Sequence, residues 1–262
     1  AWGTTVIDYR LIRAYTPLLW IFGVIGLTAV LIPGIGAEVN GSNAWIGLPF
    51  GFQLQPAELA KISIIVGMSM ILSERSHDSD APSHRDVMQA LVIAAVPVLL
   101  ILAQPDMGTV FIISIAVVTI IAVSGAPMRW VVGLILAAVI GSFAAVQVGV
   151  VNDYQVKRLQ AFVDPNADSQ GSGYQLRQAR ITVGSGGLIG TGLFNGPQTS
   201  GRFVPEQQTD FIFTVAGEEL GFVGSGLILI LYLILLIRAF SIARRTSDPF
   251  GRLVCTGVIA WF

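Results

Sequence analysis

The sequence predicts an all-α fold: a polytopic membrane protein with six full helical spans, a partial seventh and one large exported loop. Three observations predict it. The 262-residue chain is 53% hydrophobic and 12% charged, where a soluble domain carries about 25% charged residues; its mean hydropathy is +0.73. Apolar runs of about 20 residues, long enough to cross a bilayer as helices, recur along the chain. Lysine and arginine gather on alternate loops, as they do when cytoplasmic loops hold the positive charge.

The full spans fall at residues 17–36, 54–72, 87–103, 109–125, 130–151 and 210–240, and the seventh opens near Leu253. Arg10, Arg13, Arg75, Arg85, Arg129, Arg238, Arg244, Arg245 and Arg252 lie on one side. The opposite short loops, 37–53 and 104–108, contain no lysine or arginine. The arginine-rich side is therefore cytoplasmic, and residues 152–209 form an extracellular loop within one membrane domain that takes in the whole chain. The chain begins with Ala1 rather than Met and stops at Phe262 inside an apolar run, as expected of a piece cut from a longer protein. A net charge of −1 gives no reason to expect nucleic acid, and the single Cys255 rules out a disulfide framework within the chain.

The exported loop is long for one without structure of its own. Its second half, "GYQLRQARITVGSGGLIGTG", opens with Leu176, Ala179 and Val183 at helical spacing and closes in a glycine run. It is expected to lie along the outer membrane interface. The glycine run is not a phosphate loop, since it lacks the closing Gly-Lys-Ser/Thr, and it misses the G-x-G-x-x-G spacing.

Carboxylates stand out in "RFVPEQQTDFIFTVAGEELGFVGSG". A helix from Asp210 to Arg238 would be about 43 Å long, against roughly 30 Å of hydrocarbon. It must stand proud, tilt or break near Gly221, Gly224 and Gly226. Asp210 then sits at the outer mouth, with a helix-capping role as the plainer reading and Thr209 as the rival cap. Glu218 and Glu219 lie about 12–13 Å deeper. Intramembrane acids are functional candidates, and for these two a structural role is an even alternative. Glu58 and Lys61, three apart in "LQPAELAKI", share a helical face behind Pro56, either as a local ion pair or as part of an outer-face site. Asp106 in "QPDMGT" is a third acid at that level, or a turn residue. His77, His84, Asp78, Asp80 and Asp86 share a cytoplasmic loop, and a solvated loop suits them better than a metal site.

No serine or cysteine has an outer-face histidine as base. What remains is carboxylates and a few cations. A carboxylate can deprotonate a hydroxyl when its pKa is raised toward the working pH, and Arg, Lys or a divalent cation can stabilise a departing phosphate. This chemistry suits group transfer from a lipid-linked phosphate donor, and equally a cation or lipid transporter.

The stretches "GSNAWIG", "QPAELAK", "QPDMGT", "DYQVKR", "GYQLRQARITVGSGGLIGTG" and "VPEQQTDFIFTVAGEELG" resemble, in order, those of the SEDS family of bacterial cell-wall glycosyltransferases. The glycine run is closer to the RodA branch than to the FtsW branch. The resemblance implies a ten-helix fold, of which this chain covers the loop before the third helix to the start of the ninth. It implies polymerisation of lipid II at the outer face of the bacterial plasma membrane, beside a class B penicillin-binding protein. The family's essential aspartate maps onto Asp210, its "QPxExxK" acid and base onto Glu58 and Lys61, its "PE" acid onto Glu206 and its "QPDxGT" acid onto Asp106. The family's basic residue before the Trp is Ala44 here, and another near the "QP" motif is Gln53. Lys61, Arg177, Arg180 and Arg202 are left as candidate holders of the pyrophosphate, with magnesium or manganese as a candidate cofactor. A lipid II flippase, a cation-coupled carrier and a non-catalytic scaffold for the transpeptidase are the alternatives.

Overall fold

A computed structural model describes residues 9–34, 36–39, 42–47, 52–74, 81–147, 172–201, 203–205, 207 and 209–262. The chain forms two compact units, residues 1–137 with 238–262 and residues 138–237.

The first unit opens with α1 (Tyr9–Val30). The span expected from the sequence runs from Pro17 to Gly36, and the helix ends earlier, at Val30. Pro17 lies inside the helix, which extends back over Arg13; Arg13 pairs with Glu74 at 3.2 Å and stacks over the Phe250 ring at 5.7 Å. A membrane helix tolerates an internal proline where neighbours satisfy the freed backbone. A three-stranded antiparallel sheet follows, β1 (Gly36–Val39), β2 (Ser42–Gly47) and β3 (Gln53–Leu54). Its first two strands pair from Gly36↔Ile46 to Val39↔Ser42, with a register shift between Ala37 and Glu38. The extra residue on β2 at that shift is Ala44, which is buried. This sheet corrects the expectation of a plain loop over 37–53: strands of two to six residues fall below the length at which apolar runs register in the sequence.

Next come α2 (Pro56–Ser73), α3 (His84–Leu102), α4 (Met107–Val123) and α5 (Met128–Gln147), the last belonging to the second unit from Ala138 on. Pro56 opens α2, and Gln55 before it is extended (φ −101°, ψ 107°), as a residue preceding proline must be. Ser83 and Asp86 make a capping box at the start of α3: Asp86 N donates to Ser83 Oγ at 3.3 Å and Ser83 N to Asp86 Oδ2 at 2.8 Å. Finally α9 (Pro249–Trp261) packs on α2 and α4. α2 is the central helix, buried nearly all round. Leu27, Ala60, Ile64, Met68, Ile101, Ile120 and Leu253 form the core around it. Gly257 lets α9 approach closely, since a Cβ there would lie 2.6 Å from Ile65 Cγ2 and 2.9 Å from Ile120 Cδ1. Small residues at such crossings matter because lipid tails are as apolar as leucine, so close packing rather than water exclusion holds membrane helices together.

The second unit contains α6 (Ser172–Ser185), the single-turn α7 (Pro197–Ser200) and α8 (Ile212–Arg245) as far as Ile237. α6 bears out the helical spacing read from Leu176, Ala179 and Val183. α8 begins two residues after Asp210, so Thr209 and Asp210 lie in the turn before it. Its apolar residues run all round the helix, the pattern of a membrane span. Leu11–Val30, Pro56–Ser73, His84–Leu102 and Ile212–Arg245 are long and apolar enough to cross a membrane, and Met107–Val123 and Met128–Ala144 are shorter apolar helices.

Candidate functional site

The two ends of the first unit differ. At one end Gln104, fully buried in the α3–α4 turn, donates through Nε2 to the Leu27 carbonyl at 2.9 Å. Asp106 caps α4, accepting from Thr109 N at 3.1 Å and Thr109 Oγ1 at 2.7 Å. Its Oδ2 also accepts from Gln55 Nε2 at 3.1 Å, which ties the start of α4 to the start of α2. Asp106 is thus a turn and capping residue, and it also joins two helices. One turn into α2, Lys61 Nζ lies 2.8 Å from Glu58 Oε1. The lysine side chain is 7% exposed and the glutamate 49%. On its other side the ammonium sits 4.7 Å from the centre of the Trp261 ring, a cation–π contact. A small apolar pocket lined by Lys61, Ile64, Ile113 and Trp261 lies beside it. Lys61 therefore has its charge offset on two sides, while Glu58 keeps a face open.

The opposite end holds Arg13 on Glu74, and the α3 and α5 starts, where Trp130 Nε1 donates to His84 Nδ1 at 3.1 Å and Arg129 meets His84 Nε2. The separation of arginines from the Gln104–Asp106 end matches the two-sidedness read from the sequence. Asp86 belongs to its capping box, and among the described residues no three His, Cys, Asp or Glu side chains gather. His77, Asp78 and Asp80 lie outside the described residues.

In the second unit the glycine run has a structural task. An unbroken α8 would pair the amides of Phe222 and Val223 with the carbonyls of Glu218 and Glu219. At Gly221 the backbone turns to φ 67°, ψ −167° and the helix breaks, within the stretch its excess length picked out. The loop splices into the gap. Thr191 N donates to Glu218 O at 3.0 Å and Gly192 N to Glu219 O at 3.1 Å. In return Phe222 N donates to Gly187 O at 2.9 Å and Val223 N to Leu188 O at 3.1 Å. These four backbone groups, released by the break, are all paired. Gly190 sits at φ 87°, where a Cβ would collide with the Glu219 carbonyl.

Glu218 is fully buried. Its Oε1 accepts from Gln198 N at 2.8 Å and Ser185 Oγ at 3.3 Å. Its Oε2 accepts from Thr199 N at 2.7 Å and Thr199 Oγ1 at 2.6 Å. The carboxylate thus caps α7 from another element. Sequence reasoning left Glu218 evenly placed and missed its partners. One signal was present: "GPQTS" is a helix start with proline at the first position and glycine at the cap, so its free amides need an acceptor from elsewhere.

The remaining predicted residues divide. Asp210 is exposed, in the turn before α8. Arg177 is half-buried and Arg180 exposed, both on α6. Arg202 and Glu206 lie outside the described residues, as do Lys157 and Arg158. Glu58 and Lys61 pair in the first unit, to which Asp106 also belongs through its bond to Gln55; Arg177, Arg180 and Asp210 belong to the second. Gln53 is exposed on β3.

Over residues 1–262 the chain matches the family described as cell cycle protein, FtsW/RodA/SpoVE. It is 37% identical over 259 residues to a probable peptidoglycan glycosyltransferase FtsW of Trichlorobacter lovleyi, covering 99% of this chain and 66% of that protein. It is 35% identical to the peptidoglycan glycosyltransferase MrdB of Escherichia coli K12, covering 95% and 66%. Among solved structures it superposes on a chain of a peptidoglycan synthase complex with TM-score 0.75 at 26% identity, covering 97% of this chain and 69% of that one. It also superposes on the Thermus thermophilus rod shape determining protein RodA with TM-score 0.64 at 25% identity, covering 98% and 65%. The chain thus spans just under two thirds of the length of its first curated relatives. It belongs to the FtsW/RodA/SpoVE family of multi-span membrane proteins.

Proposed function

We propose that the protein to which this chain belongs is a peptidoglycan glycosyltransferase that polymerises lipid II on the extracytoplasmic face of the bacterial plasma membrane. Two relatives named as peptidoglycan glycosyltransferases, each aligned to nearly the whole chain, support the reaction class. The observation that carries the reading here is the setting of Asp210. It is an exposed carboxylate in the turn before α8, a helix long and apolar enough to cross a membrane.

In the proposed step the Asp210 carboxylate takes the proton from the 4-hydroxyl of the acceptor GlcNAc. The freed oxygen forms a bond to the anomeric carbon of the donor MurNAc, with inversion. The bond from that carbon to the pyrophosphate oxygen breaks with its electron pair, and undecaprenyl pyrophosphate leaves. The proton on Asp210 passes to solvent, restoring the base. Arg177 or Arg180, in the same unit as Asp210, is proposed to offset the leaving charge, with Lys61 or Arg202 as the alternative. Glu58, Asp106 and Glu206 are the acids proposed to contact the sugars. Magnesium is commonly held by one or two carboxylates plus substrate phosphates. Magnesium or manganese therefore stands as a candidate cofactor, with no step routed through it. The partner proposed is a class B penicillin-binding protein, in keeping with a structural relative described as coordinating polymerization and crosslinking.

The test is Asp210→Asn in the full-length protein, given lipid II and the cognate transpeptidase. Loss of glycan synthesis by a folded variant supports the base assignment. Unchanged synthesis removes it, and transport of lipid II without polymer would turn the reading to a flippase.

A further inference from the structure

Glu218 is buried and has no place in the chemistry just described. Its four hydrogen bonds come from neutral donors on two segments, Ser185 at the end of α6 and Gln198–Thr199 in α7. A carboxylate with no exposure is normally stabilised by a counter-charge or by charge-assisted hydrogen bonds. Here two of the four are backbone amides of the first turn of α7, which have no partner within that helix.

The network continues outward. Thr199 Oγ1 gives its proton to Glu218 Oε2 at 2.6 Å and accepts from Gln207 Nε2 at 3.1 Å. Every donor in this chain points inward, so Gln207, Thr199 and Glu218 form a one-way series ending on the carboxylate, an arrangement in which each bond polarises the next. Gln207 is itself buried. It stands three residues before Asp210, and Glu218 stands six residues into α8. The segment from α7 to the start of α8 is therefore pinned near its beginning and again just before the Asp210 turn. Below it, the Gly187–Gly192 splice at Gly221 fixes the preceding loop to the same helix.

We propose that Glu218 is a positioning residue for Asp210, acting through Thr199 and Gln207 on the turn that carries the base. This rests on the reading of Asp210 as the base. Reaction rates are sensitive to displacement of such a group: a shift of about 1 Å costs on the order of a hundredfold.

The mildest break in the series is Thr199→Val, which keeps shape and both backbone amides but removes the hydroxyl. In the full-length protein with lipid II and the cognate transpeptidase, Thr199→Val lowers kcat about tenfold to a hundredfold and leaves KM within about twofold. Thr199→Ser, which restores the hydroxyl, recovers most of the rate. Gln207→Leu lowers kcat likewise, and Thr199→Val/Gln207→Leu together are no worse than the more severe single change, because both cut one series. Rates are measured well below each variant's melting temperature, so lost stability alone does not move kcat. A folded Thr199→Val protein with wild-type kcat overturns the proposal, as do multiplying effects in the double variant. Asp210→Asn is run beside them. If it is inactive while Thr199→Val is fully active, the positioning role alone fails; if Asp210→Asn polymerises normally, the base assignment fails and takes the positioning role with it.

Discussion

Glu58 and Glu218 are both glutamates on long apolar helices, and they are stabilised in opposite ways. Glu58 is half exposed and has one charged partner, Lys61, at 2.8 Å. Glu218 is fully buried and has four neutral donors, drawn from residues 19 to 33 positions away in sequence. The pair in the first unit is local and leaves an acid face open to a ligand. The network in the second unit is long-range and closed. An acid in an apolar sequence can thus belong to a site or to the frame of a site, and the number of directions from which it is held separates the two.

That contrast predicts an order of effects. Glu218→Leu keeps the bulk and strands the two α7 amides and the Thr199 hydroxyl, while Ser185 Oγ keeps the Thr182 carbonyl at 2.7 Å, and each orphaned donor costs about 1–3 kcal/mol. We expect a loss of about 3–5 kcal/mol in all, seen as a large fall in the melting temperature of the detergent-solubilised full-length protein. A smaller loss would mean that water or another group can replace the carboxylate. Gly190→Ala attacks the same frame through the backbone, forcing a side chain into a left-handed conformation and against the Glu219 carbonyl. The expected loss is about 2–4 kcal/mol, and hydrogen exchange at Phe222 and Val223 should quicken as their donors lose Gly187 and Leu188. The first unit responds least. Glu58→Gln keeps an amide oxygen beside the buried Lys61 ammonium but removes its counter-charge, and costs about 1 kcal/mol. Lys61→Met frees a glutamate that water can reach and is nearly neutral. Thermal melts that reversed these last two would show Glu58 to be the more deeply committed partner.

What could be read from the sequence follows from the physics of each feature. The long helices were legible because a bilayer imposes a length and a composition on every span. A break in α8 was legible as one outcome, beside a helix that stands in the headgroup zone, lines a cavity or tilts, since a helix from Asp210 to Arg238 outruns the hydrocarbon. Asp106 as a turn acid and Glu58–Lys61 as a pair were legible because capping and i,i+3 contacts are local. The start of α1 lies before the apolar run that marked the span, because Arg13 finds Glu74 and Phe250 as partners there. The sheet went unseen because its strands are too short to show a period. The partners of Glu218 were hidden because hydrogen bonds spanning 19 to 33 residues leave no spacing to find. The glycine run was legible as glycine-rich but not as a splice, since its pairing depends on where another element breaks.

The central claim is that one carboxylate, Asp210, removes the proton from the acceptor hydroxyl. Its most direct measurement is the rate of glycan polymer formation from labelled lipid II by the full-length Asp210→Asn protein with its transpeptidase, beside a wild-type control of equal folded content. A general base supplies about a hundredfold to ten-thousandfold in rate. The account predicts a fall of at least about a hundredfold, with lipid II still bound. Polymer made at the wild-type rate by the folded variant would contradict it.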